Sequence, residues 1–116
     1  MVIKYVTIAE THYFEKKITS LLDEEALMSL KIMLATDPLV GDVIRGTNGL
    51  RKIRFAAGNK GKSGGIRVIY YFYNASMPLF LLDAFAKSQK ENLSKSNLND
   101  YAKLVDTLKN YGGKND

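Results

Sequence analysis

The run Gly65-Ile66-Arg67-Val68-Ile69-Tyr70-Tyr71-Phe72-Tyr73-Asn74 governs how the rest of the chain is read. From Ile66 to Tyr73 every residue but Arg67 is β-branched or aromatic, the types that fit a pleated, packed surface. Gly65 and Asn74 punctuate the ends of a strand. Working outward, Leu50 to Ala57 reads as the preceding strand and Leu79 to about Ala86 as the following one. The glycine- and lysine-rich segment 58–65 and the turn Asn74-Ala75-Ser76-Met77-Pro78 join them. Connections this short imply an antiparallel meander.

Upstream, Val2 to Ile8 alternates weakly and reads as a first strand. Thr11 is placed to cap a helix to about Leu22, with Phe14, Ile18 and Leu21 at helical spacing. Asp23-Glu24-Glu25 marks a second helix start, with acids at the positive end of the helix dipole. Ala26, Leu27, Leu30, Ile32, Met33 and Leu34 give that helix its apolar stripe, and Asp37-Pro38 ends it. Residues 39–49 read as loop. After Ser88 the spacing of Leu98, Tyr101, Ala102, Leu104, Val105 and Leu108 predicts a C-terminal helix stopped by Gly112-Gly113. The expected fold class is α+β. An N-terminal strand and a helical hairpin pack on one face of a small antiparallel sheet, and a C-terminal helix completes the unit. Residues 1–111 form a single domain, and 112–116 a mobile tail.

Composition narrows the chemistry. The chain has 116 residues, no cysteine and one histidine, His12. Disulfide scaffolds, thiolate zinc sites, cysteine nucleophiles and paired-histidine catalysis are excluded. His12 lies early in a predicted helix and reads as a surface or structural residue. No apolar run is long enough to span a bilayer. Met1-Val2-Ile3-Lys4-Tyr5 lacks the basic-then-apolar pattern of a signal peptide. A cytoplasmic protein with no membrane partner is expected.

Net charge is +5, and its distribution is uneven. Between Asp42 and Asp83 there is no acidic residue, while Arg45, Arg51, Lys52, Arg54, Lys60, Lys62 and Arg67 fall in that interval. The remainder of the chain is slightly acidic. A concentrated positive field suits a polyanion, although a solvated surface would carry the same charge.

Strand alternation sharpens this reading. It places Ile53 and Phe55 with Val68, Tyr70 and Phe72, and with Phe80, Leu82, Ala84 and Ala86, on the face turned to the core. The opposite, open face then carries Lys52, Arg54, Arg67, Tyr71, Asp83, Phe85 and Lys87. Cations that bind phosphate interleave there with rings that stack on unpaired bases, at about 1–3 kcal/mol each. Single-stranded RNA is the matching ligand. The plainer alternative packs Tyr71 and Phe85 on their neighbours and pairs Asp83 with Arg67.

The stretch Gly41-Asp42-Val43-Ile44-Arg45-Gly46-Thr47-Asn48-Gly49-Leu50-Arg51-Lys52-Ile53-Arg54 resembles a hallmark of the RelE/ParE toxin superfamily, with the HigB branch of RelE-like toxins closest. Gly64-Gly65-Ile66-Arg67-Val68-Ile69-Tyr70-Tyr71 is similar as well. So are Leu81-Leu82-Asp83-Ala84-Phe85-Ala86-Lys87 and Lys90-Glu91-Asn92-Leu93-Ser94. The resemblance covers nearly the whole chain. It implies a toxin of a type II toxin–antitoxin system that enters the ribosomal decoding site and cleaves bound messenger RNA. It further implies a cognate, HigA-like antitoxin with a DNA-binding domain, and operator DNA bound through the toxin–antitoxin complex.

By the same resemblance Lys52, Arg54, Arg67 and Lys87 match the family's basic site residues. RelE itself has an arginine and a C-terminal tyrosine beyond that lysine, where this chain has Ser88 and Ser94. Lys90 is a candidate for the missing charge. The implied reaction uses the 2′-hydroxyl of the RNA as nucleophile on the adjacent phosphate, with no cofactor or metal. Arg54 and Arg67 suit the charged transition state, because a guanidinium grips phosphate bidentately. Lys52 and Lys87 are candidates for proton transfer, and Asp83 for a second base. Tyr71 and Phe85 would hold a base. Lys60 and Lys62 would touch ribosomal RNA by charge. Their loop lacks the Gly-x-x-x-x-Gly-Lys-Ser/Thr pattern of a P-loop. Two other readings remain open: a ParE-like gyrase poison on the same fold, and a nucleic-acid-binding module without catalysis.

Overall fold

In a computed structural model, residues 5–56, 65–88 and 93–113 are described, with side chains as far as Asn110. The elements run β1 (Ile8–Glu10), α1 (His12–Ile18), α2 (Glu24–Thr36), β2 (Asp42–Val43), β3 (Leu50–Phe55), β4 (Ile66–Tyr71), β5 (Leu79–Ala86) and α3 (Lys95–Gly113). The fold is α+β.

Both hairpin helices start where a short polar side chain satisfies an orphan amide. Thr11 Oγ1 accepts from the Phe14 amide at 3.2 Å and donates to the Leu81 carbonyl at 3.0 Å, so one hydroxyl caps α1 and pins it to β5. Asp23 Oδ1 accepts from the Ala26 amide at 2.8 Å and caps α2. Helix α1 ends at Ile18, a turn earlier than the spacing predicted, and α2 closes at Thr36 before Asp37-Pro38.

The sheet order is β1-β5-β4-β3-β2. Strands β3, β4 and β5 form the predicted antiparallel meander. The first strand lies later than expected and joins β5 in parallel, with Ile8 opposite Leu79; Val2, Ile3 and Lys4 are outside the described residues. Strand β2 falls in a segment read as loop. It pairs Asp42 with Lys52 and Val43 with Arg51. The connection to β3 needs left-handed backbone at Gly46, Asn48 and Gly49, which glycine and asparagine supply at least cost.

Two apolar clusters lie on opposite sheet faces. The first joins Phe14, Ile18 and Leu22 of the α1 region, and Leu30 and Leu34 of α2, to Ile66, Val68, Tyr70, Leu79, Leu81 and Ala84. The second joins Leu50, Ile69, Tyr71, Leu82 and Phe85 to Leu93 and Val105, with Leu98, Tyr101 and Leu108 of α3 packed against it. Helices therefore cover both faces, which corrects the expectation of one covered face. The reason lies in β4, whose residues are buried throughout, as in a strand read as a continuous apolar run.

Simple alternation also fails on β5. Ile69 pairs with Asp83 and Tyr70 with Leu81, so the register shifts at this point. One extra residue in a strand reverses the face of everything beyond it. Leu79 and Leu81 accordingly enter the first cluster, while Phe80, Leu82 and Phe85 turn to the second. The set Phe80, Leu82, Ala84 and Ala86 does not share one face. Helix α3 runs through Gly112 to Gly113 rather than stopping before them, and residues 114–116 are outside the described residues.

Tyr70 ties the first core to the edge of the sheet. Its hydroxyl accepts from the Gly41 amide at 2.8 Å and donates to the Pro38 carbonyl at 2.9 Å. A Cβ at position 41 would stand 2.8 Å from the Tyr70 ring, so glycine is required for this approach. Tyr70→Phe leaves the buried Gly41 amide and the part-buried Pro38 carbonyl without their partner; in urea denaturation it should lower the unfolding free energy by about 1–3 kcal/mol.

Burial also pushes the phenols of Tyr70, Tyr71 and Tyr101 above the ordinary tyrosine value of 10.0. Their contribution to stability is fully present below that value, where folded and unfolded chains are both protonated. It is lost as pH rises further, because the unfolded chain releases its protons first. The unfolding free energy from urea titration should therefore fall steeply above about pH 10, by at most about 1.4 kcal/mol per pH unit for each tyrosine. Tyr71→Phe should flatten that slope.

Candidate functional site

The α3-facing side of the sheet changes character along its strands. On β3 the alternate residues are Leu50, Lys52 and Arg54; on β4 they are Tyr71, Ile69 and Arg67. The ladder pairs Leu50 with Tyr71, Lys52 with Ile69 and Arg54 with Arg67. The apolar end lies in the second core, and the other end is cationic. Lys87 follows directly on β5, and its amide donates to the Gly65 carbonyl at 3.3 Å, beside the start of β4.

These cations meet in one cleft of about 710 Å³, lined by Lys52, Arg54, Arg67 and Lys87 together with Asp42, Met33, Val40 and Ile53. The four basic residues singled out from the sequence are thus brought together. Arg54 is exposed, whereas Arg67 is 5% exposed. Like charges directly opposite on a ladder repel. An anion held between the two guanidiniums offsets that repulsion through charge-assisted hydrogen bonds.

Other predicted site residues lie elsewhere. Tyr71 and Phe85 are each 2% exposed within the second core, so neither presents a ring on an open face. The α3 packing that covers them is the long-range contact that strand alternation could not foresee. Lys60, Lys62 and Lys90 lie outside the described residues. His12 is on the surface, its imidazole 84% exposed.

Asp83 is buried but is not part of the cleft lining. Lys17 of α1 donates to its Oδ1 at 2.6 Å, and the Ala84 amide donates to the same oxygen at 2.7 Å. The Tyr101 hydroxyl of α3 also hydrogen-bonds to it. Burial, and then the adjacent carboxylate, push that phenol far up. Asp83 therefore joins α1, β5 and α3, with Lys17 as its ion partner. This placement removes it as a base candidate in the cleft. Ser94 accepts from the Asn97 amide at 3.1 Å and caps α3, while Ser88 sits exposed in the turn after β5.

Asp42 is the cleft residue that sequence reasoning missed. A two-residue strand carries no periodicity, so the signal available was the Gly46-Thr47-Asn48-Gly49 turn that folds it back onto β3.

A family model described as the RelE toxin of the RelE/RelB toxin–antitoxin system matches residues 8–115. The match is to the RelE family as a whole and distinguishes no branch within it. Among solved structures, a mutant of the Escherichia coli toxin RelE in the free state is similar at TM-score 0.53 and 16% identity. The alignment covers 76% of this chain and 88% of that one, and at this identity it speaks to the fold.

Lys17→Ala would leave the Asp83 carboxylate, 2% exposed, without its cation. Stripping one partner from a buried pair is costly, though the partial exposure of Lys17 moderates the loss here. Urea unfolding should show a decrease of about 2–3 kcal/mol. The double variant Lys17→Met/Asp83→Leu should recover part of it.

Proposed function

This chain belongs to the RelE toxin family of toxin–antitoxin systems, and from that premise we propose that it is a ribosome-dependent endoribonuclease that cuts messenger RNA during translation. The observation that carries this reading is the convergence of Lys52, Arg54, Arg67 and Lys87 on one cleft. In the proposed reaction the 2′-hydroxyl attacks the adjacent phosphorus, the bond to the 5′-oxygen breaks, and a 2′,3′-cyclic phosphate and a 5′-hydroxyl result. Charge accumulates on the phosphate oxygens as the new bond forms. Preorganised guanidiniums stabilise that charge more than they stabilise the ground state. Arg54 and Arg67, opposite each other on the ladder, are suited to this task. Lys52 and Lys87 supply further charge and protons.

Membership of the family implies a cognate antitoxin. We assign a HigA-like, DNA-binding antitoxin to this role, with operator DNA contacted through the complex. No described helix is long and apolar enough to cross a membrane, and the proposed site of action is the cytoplasmic ribosome. Lys60, Lys62 and Lys90 are proposed contacts to ribosomal RNA.

The test is inducible expression in a bacterium with mapping of transcript 5′ ends, comparing the native chain with Arg67→Ala and Arg54→Ala. New ends inside translated frames should appear with the native chain and fall at least about 100-fold in both variants. Arg54→Ala should unfold within about 0.5 kcal/mol of the native protein or later, because it removes a repulsion at an exposed site. Growth arrest without new ends would redirect the reading to a gyrase poison. Ribosome binding without cleavage would redirect it to a non-catalytic RNA-binding module.

A further inference from the structure

Cleavage by an internal 2′-hydroxyl needs a group that takes its proton. The described residues lining the cleft offer few choices. Arg54 and Arg67 are guanidiniums, which carry five donors and no acceptor. Lys52 and Lys87 are ammonium groups, donors again. His12 is on another surface, and Asp83 is held by Lys17 and Tyr101 outside the cleft. The remaining side chain with a basic lone pair is the carboxylate of Asp42.

Its position is built by the fold. Asp42 is on edge strand β2, directly opposite Lys52 on β3. Directly paired residues share a sheet face, with Cβ atoms about 4.5–5.5 Å apart. Lys52 and Arg54 therefore bring Asp42 onto the cationic side of the sheet. Tyr70 fixes the preceding residue, Gly41, through its hydroxyl. Arg51 Nη1 donates to the Gly41 carbonyl at 2.6 Å. The peptides leading into Asp42 are thus held from two sides. A lone carboxylate opposes phosphate binding, so its place among four cations calls for a role that uses it.

We propose that Asp42 is the general base of the cleavage reaction, acting on the RNA substrate of the function proposed above, on which this inference rests. A carboxylate oxygen of Asp42 takes the proton from the 2′-hydroxyl as the O2′–P bond forms. The P–O5′ bond breaks with its electron pair on O5′, and a lysine ammonium of the cleft, Lys52 or Lys87, delivers a proton there. One proton is taken up and one released, so the step balances without a metal or redox partner.

The experiment measures single-turnover cleavage of a programmed messenger RNA on purified ribosomes by the full chain, Asp42→Asn and Asp42→Glu, at neutral pH. Asp42→Asn should cleave at least about 100-fold more slowly, with unchanged ribosome affinity and melting temperature. Asp42→Glu, which keeps a carboxylate, should recover part of the rate. A substrate with a 5′-bridging sulfur has a leaving group that needs no proton. It should rescue Lys52→Ala or Lys87→Ala, whichever removes the acid, but not Asp42→Asn.

Asp42→Asn within about threefold of the native rate, or rescued by the sulfur substrate, would overturn Asp42 as the base while leaving the ribonuclease reading intact. Loss of rate matched by an equal loss of ribosome affinity would make it a binding residue and overturn the assignment. Absence of cleavage by the native chain would overturn the ribonuclease reading and this inference together.

Discussion

Strand β4 is buried on both faces, and the architecture follows from that constraint. Its first-cluster side chains, Val68 and Tyr70, meet the helical hairpin; Ile69 and Tyr71 meet α3. A sheet with two apolar faces and helices on only one side exposes the other to water, at about 25 cal/mol for each Å². Helices on both sides remove that cost. The β5 irregularity at Leu82 serves the same end, because it lets Leu82 and Ala84, two positions apart, enter opposite cores.

The cleft begins where the second core stops. On the face covered by α3, the sequence along β3 passes from Leu50 to Lys52 to Arg54, and along β4 from Tyr71 to Ile69 to Arg67. The apolar ends anchor the helix, and the cationic ends line the cleft. A rigid packed sheet thereby fixes the spacing of charges that would otherwise repel, which is the arrangement electrostatic preorganisation requires. The lysines and arginines are contributed by regular strands, apart from Lys87 directly after β5. Sites on strands are held more tightly than sites on loops.

Much of this was legible in the chain. Thr11 and Asp23 cap helices because a side-chain oxygen followed three residues later by a free amide is a local interaction. The three meander strands follow from β-rich runs separated by turn residues. Lys52 and Arg54 share a face through period-two alternation, and Arg67 joins them through the hairpin register. Less legible were Tyr71 and Phe85. Their rings suit base stacking and core packing equally well, and the choice was made by a helix more than 20 residues away in the chain from Tyr71. The partner of Asp83 was illegible for a related reason: Lys17 lies 66 positions away, on α1.

The sequence by itself determined the α+β class, the helix starts, the central meander and the cationic character of one end of the sheet, because each arises from local propensity, alternation or short-range register. Tertiary structure decided the second covered face, the reversal of β5 at its bulge, the parallel seat of β1 and the place of Asp42 beside Lys52. Those features depend on which distant surfaces exclude water from one another, and on one tyrosine hydroxyl reaching Gly41 across 29 residues of chain. Local pattern carries no information about such contacts until the chain has closed around them.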